Sequence, residues 1–210
     1  MKLISATPSP YARKVRIALA EKGIPFELVT EVPWNEDTQT PLYNPLEKLP
    51  ILILDDGSSV YESHFILEYL EAKYPVPALV PADADAALAA KRLQVLGDGV
   101  CDAFVLLFFE RMRPADHRST AWMARQRRKI EGGIGELARS LGERRWAVGE
   151  SFGLGDIAIG CTMAYLDTRM PDLDWRSRYS ALATYVDRLG ERPSFKATVP
   201  VPQKIAASVV

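Results

Sequence analysis

Residues 2–29 read KLISATPSPYARKVRIALAEKGIPFELV, and this stretch decides the front of the fold. Residues 2–5 form a short apolar strand candidate, stopped by Thr7-Pro8-Ser9-Pro10. Pro10 suits the first turn of a helix, because the N–H it lacks is one that a helix leaves unpaired there anyway. Val15, Ile17, Ala18 and Leu19 follow at helical spacing, and Gly23 before Pro25 ends that helix. Residues 26–29 then read as a second strand, giving β-α-β.

Outward from this unit, residues 31–44 are polar and proline-rich, which predicts loop or irregular helix. A continuous apolar run at 51–54 follows Pro50. Asp55-Asp56-Gly57 is a turn signal, and 59–61 can return as a hairpin partner. Ser63 is expected to cap a helix running through Phe65, Ile66, Tyr69 and Leu70 to Lys73. Pro75, Pro77 and Pro81 mark a stiff boundary. Past it the periodicity is helical throughout, predicting helices over 83–110, 116–141, 155–169 and 179–189. Gly97 and Gly99 are expected to weaken the middle of the first of these. The two halves have different secondary-structure grammars. We therefore expect an α/β domain over 1–76, a linker over 77–86 and an all-helical domain over 87–210.

Charge excludes some partners. Lys plus Arg number 26 and Asp plus Glu 27, a formal net charge of -1. This balance argues against nucleic acid or an anionic membrane as partner of the whole chain. The basic run Arg125, Arg127, Arg128 and Lys129 reads as a solvated helix face. No apolar stretch reaches membrane-spanning length and no leader pattern opens the chain, so a cytoplasmic location is expected. Cys101 and Cys161 lie far apart in apolar surroundings and read as buried thiols. His64 and His117 are too few and too scattered to suggest a metal site, and none is expected. Gly153-x-Gly155-x-x-Ala158 satisfies a relaxed dinucleotide fingerprint. The preceding residues do not read as a strand, however, so no nucleotide site is expected there.

Three short motifs carry chemistry. Ser9-Pro10-Tyr11-Ala12 places a hydroxyl at a strand-to-helix junction, near unpaired N–H groups and the positive end of the helix dipole. That suits an anion, including a thiolate, although a serine there also serves as a plain N-cap. Lys48-Leu49-Pro50 puts a proline at the entry to a buried strand. A cis bond there would turn the Leu49 backbone toward a peptide-like ligand; a trans proline would simply start the strand. Tyr61-Glu62-Ser63-His64 lies where a strand ends and a helix begins. Its carboxylate, N–H and hydroxyl suit a ligand carrying both ammonium and carboxylate, and equally suit an ordinary helix cap.

All three motifs sit at element ends of one α/β unit, and in this order they resemble the glutathione transferase superfamily. SPYARKVRIALAEKGIPFEL is similar to the opening of bacterial members, NPLEKLPILIL to their Asn-Pro-x-x-x-aliphatic-Pro segment, and YESHFILEYLEAKYP to their Glu/Asp-Ser helix. FGLGDIAIGCTMAYLD resembles the buried sixth-helix segment of the same family. That segment usually begins Ser/Thr-x-x-Asp; here Gly153 replaces the capping hydroxyl, for which we expect reduced stability and unchanged chemistry.

The resemblance implies a thioredoxin-like front domain, an all-α back domain, and glutathione as co-substrate. It implies that Ser9 activates the thiol in the manner of serine-type, zeta-like members. It implies that the Leu49 backbone pairs with the cysteinyl unit beside a cis Pro50. Glu62 and Ser63 would grip the γ-glutamyl end, and Lys48 would touch the glycine carboxylate. It also implies a homodimer and a detoxifying conjugation of a small electrophile. Tyr11 and Trp34 are expected to wall the electrophile pocket from the front domain, with Phe108 and Arg111 from the back domain. Two other readings share these residues: a non-catalytic or redox-scaffold protein that binds glutathione, and a glutathione-dependent isomerase.

Overall fold

The computed structural model describes residues 1–205. Strand β1 (Lys2–Ser5) runs up the middle of a four-stranded sheet, and three of its four residues are buried. Thr7 and Pro8 break it, and α1 (Pro10–Glu21) begins with the proline at its first position, as the sequence reads. The apolar face of α1, Val15, Ile17, Ala18 and Leu19, is fully buried. Strand β2 (Glu27–Thr30) pairs parallel to β1, while β3 (Ile51–Ile53) pairs antiparallel to β1 and β4 (Ser59–Tyr61) antiparallel to β3. The order β2-β1-β3-β4 with α2 (Ser63–Lys73) after it is the thioredoxin-like arrangement expected from the sequence. Helix α1 packs against α2, and Leu3, Ile51, Leu52, Ile66 and Leu70 fill the core of this unit. The polar stretch before β3 is irregular except for one 3-10 turn at Thr40–Leu42.

The second unit, Pro81–Gly190, is helical: α3 (Ala84–Met112), α4 (Thr120–Leu141), α5 (Leu154–Arg169), α6 (Trp175–Arg178) and α7 (Ser180–Gly190). Helix α3 packs against both α4 and α5, and two glycines make that possible. A Cβ on Gly97 would lie 2.6 Å from the Thr162 hydroxyl, and one on Gly133 would lie 2.2 Å from a Val100 methyl. The glycine expected to weaken α3 is thus the point where α5 approaches it. Helix α4 starts later than expected. Pro114 follows the end of α3, a 3-10 turn occupies Ala115–His117, and Ser119, not Asp116, accepts the first cap bond, from Trp122 N–H at 3.2 Å.

At the start of α5 no hydroxyl caps the helix, yet the bend is well held. The buried Asp156 carboxylate accepts from Gly153 N–H at 2.8 Å, Ala147 N–H at 3.0 Å and the Tyr185 hydroxyl. Burial nevertheless pushes the Asp156 carboxyl above the usual aspartate range. Among the described residues no strand precedes this segment, so the glycine pattern here serves a helix start. Cys101 and Cys161 are buried free thiols.

Residues 191–205 belong to the first unit, not to the helical one. The short α8 (Pro193–Lys196) packs on α1. Arg192 makes a two-pronged contact to Glu21 at 3.0 and 2.7 Å, and Ser194 donates to the same carboxylate. Arg13 reaches back from α1 to the Phe195 carbonyl at 3.2 Å and to the Thr198 hydroxyl at 3.3 Å. Burial alone would raise the Glu21 carboxyl, but the Arg192 and Ser194 hydrogen bonds outweigh it and hold the group below its ordinary range.

Glu21→Gln keeps the shape and removes the charge. We expect it to lower the unfolding free energy by about 1.5–3 kcal/mol near neutral pH. Because the folded-state pKa is depressed, the carboxylate's contribution is complete above the ordinary glutamate value and is lost as pH falls through the folded one. Denaturant titrations of both proteins across that range should therefore show the gap closing in acid. A gap of constant size at every pH contradicts the assignment.

Candidate functional site

Sheet register brings the three motifs to one edge. Ile4 of β1 faces Ile51 of β3, and Ile51 faces Tyr61 of β4. The segment leaving β1, the segment entering β3 and the segment leaving β4 therefore emerge at the same end of the sheet. A small apolar cluster of Ile4, Ala6, Leu49 and Ile51, with Val29 and Tyr61 against it, locks this end together. Three of these residues adjoin the motifs: Ala6 before Ser9, Leu49 beside Pro50, Tyr61 before Glu62.

Ser9 is the N-cap of α1, with extended backbone angles (φ -69°, ψ 122°). Its Oγ accepts from Ala12 N–H at 3.2 Å, and its own N–H donates to the Ala6 carbonyl at 3.1 Å. A hydroxyl has one donor and two acceptor positions, so accepting this cap bond leaves its proton available to a ligand. The plain-cap reading and the ligand reading are thus compatible.

The Leu49–Pro50 peptide is cis, the alternative that the sequence left open. Leu49 lies outside the ladder pairs of β3, which begin at Ile51. Asn44, a buried residue that the sequence reading had not singled out, organises the approach. Its side-chain N–H donates to the Lys48 carbonyl at 2.8 Å, and its oxygen accepts from Leu46 N–H at 2.9 Å. Lys48 itself is exposed.

Glu62, rather than Ser63, caps α2. Its carboxylate accepts from His64 N–H at 3.2 and 3.3 Å and from the Ser63 hydroxyl at 2.9 Å. Ser63 is the first helical residue and is buried, so its hydroxyl is already turned toward Glu62. Glu62 also adopts φ 66°, ψ 134°, a left-handed conformation that glycine tolerates and other residues avoid. Such strain in a non-glycine residue survives when its surroundings over-determine it, and it concentrates at ligand clamps.

A second hub lies past β2. The Glu31 carboxylate accepts from Thr40 N–H at 3.0 Å, from the Thr40 hydroxyl at 3.1 Å and from the Thr38 hydroxyl, which closes the loop that carries Trp34. Trp34 is 42% exposed and Tyr11 is half-buried, with the Lys14 ammonium 6.0 Å from the Tyr11 ring centre. Both belong to the first unit, whereas Phe108 and Arg111 belong to the helical one. There the Phe108 ring lies 6.1 Å from Phe104 and 5.3 Å from Phe109, and the Arg169 guanidinium sits 5.6 Å above it. Arg111 is half-buried at the last turn of α3. Among the described residues, no group of three or more His, Cys, Asp or Glu side chains could hold a metal ion.

Comparison with known proteins shows the family. The family model described as glutathione S-transferase, N-terminal domain, matches residues 8–73, and that for the C-terminal domain matches residues 120–188. The uncharacterized GST-like protein YibF of Escherichia coli (strain K12) is 35% identical over 200 residues, which is 95% of this chain and 98% of that protein. The chain belongs to the glutathione transferase family.

Among solved structures of this family, a glutathione S-transferase from Methylobacterium radiotolerans in complex with glutathione sulfonate is 62% identical. Its TM-score is 0.96, and the match covers 98% of this chain and 97% of that one. Another, from Methylobacillus flagellatus with glutathione bound, is 42% identical. Its TM-score is 0.91, and the match covers 95% of this chain and 99% of that one.

The backbone at Glu62 supplies a test within this chain. Glu62→Ala loses the cap and keeps the strain, while Glu62→Gly loses the cap and relieves the strain. We expect the glycine variant to be the more stable of the two by about 1 kcal/mol, reversing the usual preference for alanine. Equal melting temperatures, or alanine ahead, contradict the strained clamp.

Proposed function

We propose that this transferase binds glutathione across the sheet edge, ionises its thiol at Ser9 and adds the sulfur to a small electrophile. The observation that carries this reading is the convergence of the three motifs at one end of the sheet. Adjacent strands lie about 4.8 Å apart, so β1 to β4 across β3 spans about 10 Å. An extended tripeptide spans about the same length. The glutathione-bound relative from Methylobacillus flagellatus supports the choice of peptide.

In this reading Glu62 and Ser63 hold the γ-glutamyl ammonium and carboxylate. The Leu49 backbone pairs with the cysteinyl unit beside Pro50, and Lys48 meets the glycine carboxylate. The cysteinyl sulfur then lies at the N-terminus of α1. The helix dipole and the free proton of the Ser9 hydroxyl both favour the anion. The thiol proton leaves to solvent, and the thiolate pair forms a carbon–sulfur bond while the electrophile's leaving group, or its π electrons, take up the displaced pair. Serine is not the nucleophile. Within the first unit, Tyr11 and Trp34 are the proposed contacts for the electrophile, and their rings suit a flat acceptor. A serine-type conjugating role in detoxification, in the cytoplasm, is the physiological setting we infer; no described helix is long and apolar enough to cross a membrane.

Ser9→Ala tests the reading. We expect the pKa of bound glutathione to rise and turnover of an aryl halide at neutral pH to fall at least about tenfold, with glutathione affinity kept within several-fold. A thiolate titration identical to that of wild type would move the role to backbone N–H groups alone.

We also infer a homodimer, formed through α2 and α3. Phe65 on α2 and Leu88 and Val95 on α3 are apolar and 59%, 65% and 60% exposed, more than isolated surface residues require. Light scattering at micromolar concentration should give twice 23.4 kDa; the mass of one chain would refute the dimer.

A further inference from the structure

The C-terminal segment makes contacts that the reading above does not use. Parallel strands β1 and β2 end side by side, at Ser5 and Thr30. One further rung joins them, where Glu31 N–H donates to the Ser5 carbonyl at 3.0 Å. Past that rung Gln203 bridges the two backbones. Its side-chain oxygen accepts from Thr7 N–H at 3.1 Å, and its side-chain nitrogen reaches the Glu31 carbonyl at 3.4 Å. Two residues earlier, the Val201 carbonyl accepts from the Thr7 hydroxyl at 2.8 Å. Gln203 is half-buried between exposed neighbours at 202 and 204.

We propose that Gln203 is a positioning residue for the Ser9 site: its amide staples the Thr7 and Glu31 backbones together and so fixes the loop that presents the Ser9 hydroxyl. The proposal rests on the reading of Ser9 given above. Three features carry it. The carboxamide offers an acceptor to Thr7 and a donor to Glu31 at once; alanine offers neither, and glutamate offers only the acceptor. Thr7 has one residue between it and Ser9, whose N–H donates to the Ala6 carbonyl, so the Gln203 amide, together with the Val201 carbonyl on the Thr7 hydroxyl, sets where the cap hydroxyl sits. The segment is anchored independently upstream, by Arg13 on the Phe195 carbonyl and by Arg16 on the Ala197 carbonyl at 3.3 Å. Loss of Gln203 therefore releases the Thr7 and Glu31 backbones from each other, leaving the Thr7 hydroxyl on the Val201 carbonyl, without detaching α8. The staple also joins the Ser9 loop to Glu31, whose carboxylate closes the loop bearing Trp34, so one side chain braces both segments.

The test compares wild type, Gln203→Ala and Gln203→Glu as full-length chains. Hydrogen–deuterium exchange without ligand reads the staple itself. Exchange across residues 6–9 should speed up about tenfold or more in Gln203→Ala and less in Gln203→Glu, which keeps the acceptor for Thr7 N–H, with α2 and the helical unit unchanged. Thiolate absorbance and kinetics with glutathione read its consequence. The pKa of bound glutathione should rise in Gln203→Ala and rise further in Gln203→Glu, because the new carboxylate adds a negative charge near the sulfur. Turnover at neutral pH should fall several-fold, with the KM for glutathione kept within about twofold, and should recover at higher pH. Unchanged exchange at 6–9 overturns the staple, whatever the chemistry. Faster exchange with an unaltered thiol titration overturns the positioning role and leaves a purely structural tie. If wild-type protein itself binds no glutathione, the reading of Ser9 falls, while the exchange result still decides whether Gln203 fixes the loop.

Discussion

Leu49 packs in one apolar cluster with Ile4, Ala6 and Ile51, and the site depends on that contact. None of these residues has chemistry of its own. They fix the relative positions of three chain segments that lie far apart in sequence and emerge together across about 10 Å at one end of the sheet. The antiparallel register does the rest: because β3 runs against both β1 and β4, its entry lies beside their exits. A one-residue slip of β3 would turn Leu52 and its neighbours to the opposite face and carry Pro50 away from Ser9.

On this frame the polar groups are held by short-range bonds to their own loops. Asn44 fixes the Lys48 carbonyl, Glu62 caps its own helix, and Ser9 caps α1. Each polar side chain is thus oriented before any ligand arrives, so little conformational freedom is left to lose on binding. Glu62 is the exception in cost, since its capping carboxylate comes with a left-handed backbone.

The sequence revealed elements whose signal is local. Pro10 at a helix start, the Asp-Asp-Gly turn before β4 and the 3.6-residue periods of α3, α4, α5 and α7 all lie within one or two turns of chain, and the structure places them close to where they read. It did not reveal α6 or α8, four residues each, which are too short for a period. The Glu62 cap was read one residue late, because serine is the commoner cap and the left-handed backbone leaves no compositional trace. Asp116 resembled the start of α4, but Pro114 and the following 3-10 turn delay it to Thr120. Least legible was the return of the chain past Gly190 to α1. Arg192 to Glu21 and Gln203 to Thr7 are contacts across most of the chain, and no local pattern announces them.

The central claim is that this edge of the sheet turns a bound thiol into a thiolate. The direct measurement is the pH titration of thiolate absorbance for glutathione saturating the wild-type protein, with S-methylglutathione as the blank. A free thiol of this kind titrates near 8.5, and the helix terminus with the Ser9 hydroxyl should bring the bound thiol toward neutrality. A bound thiol that titrates at or above its free value would contradict the account, whatever the affinity.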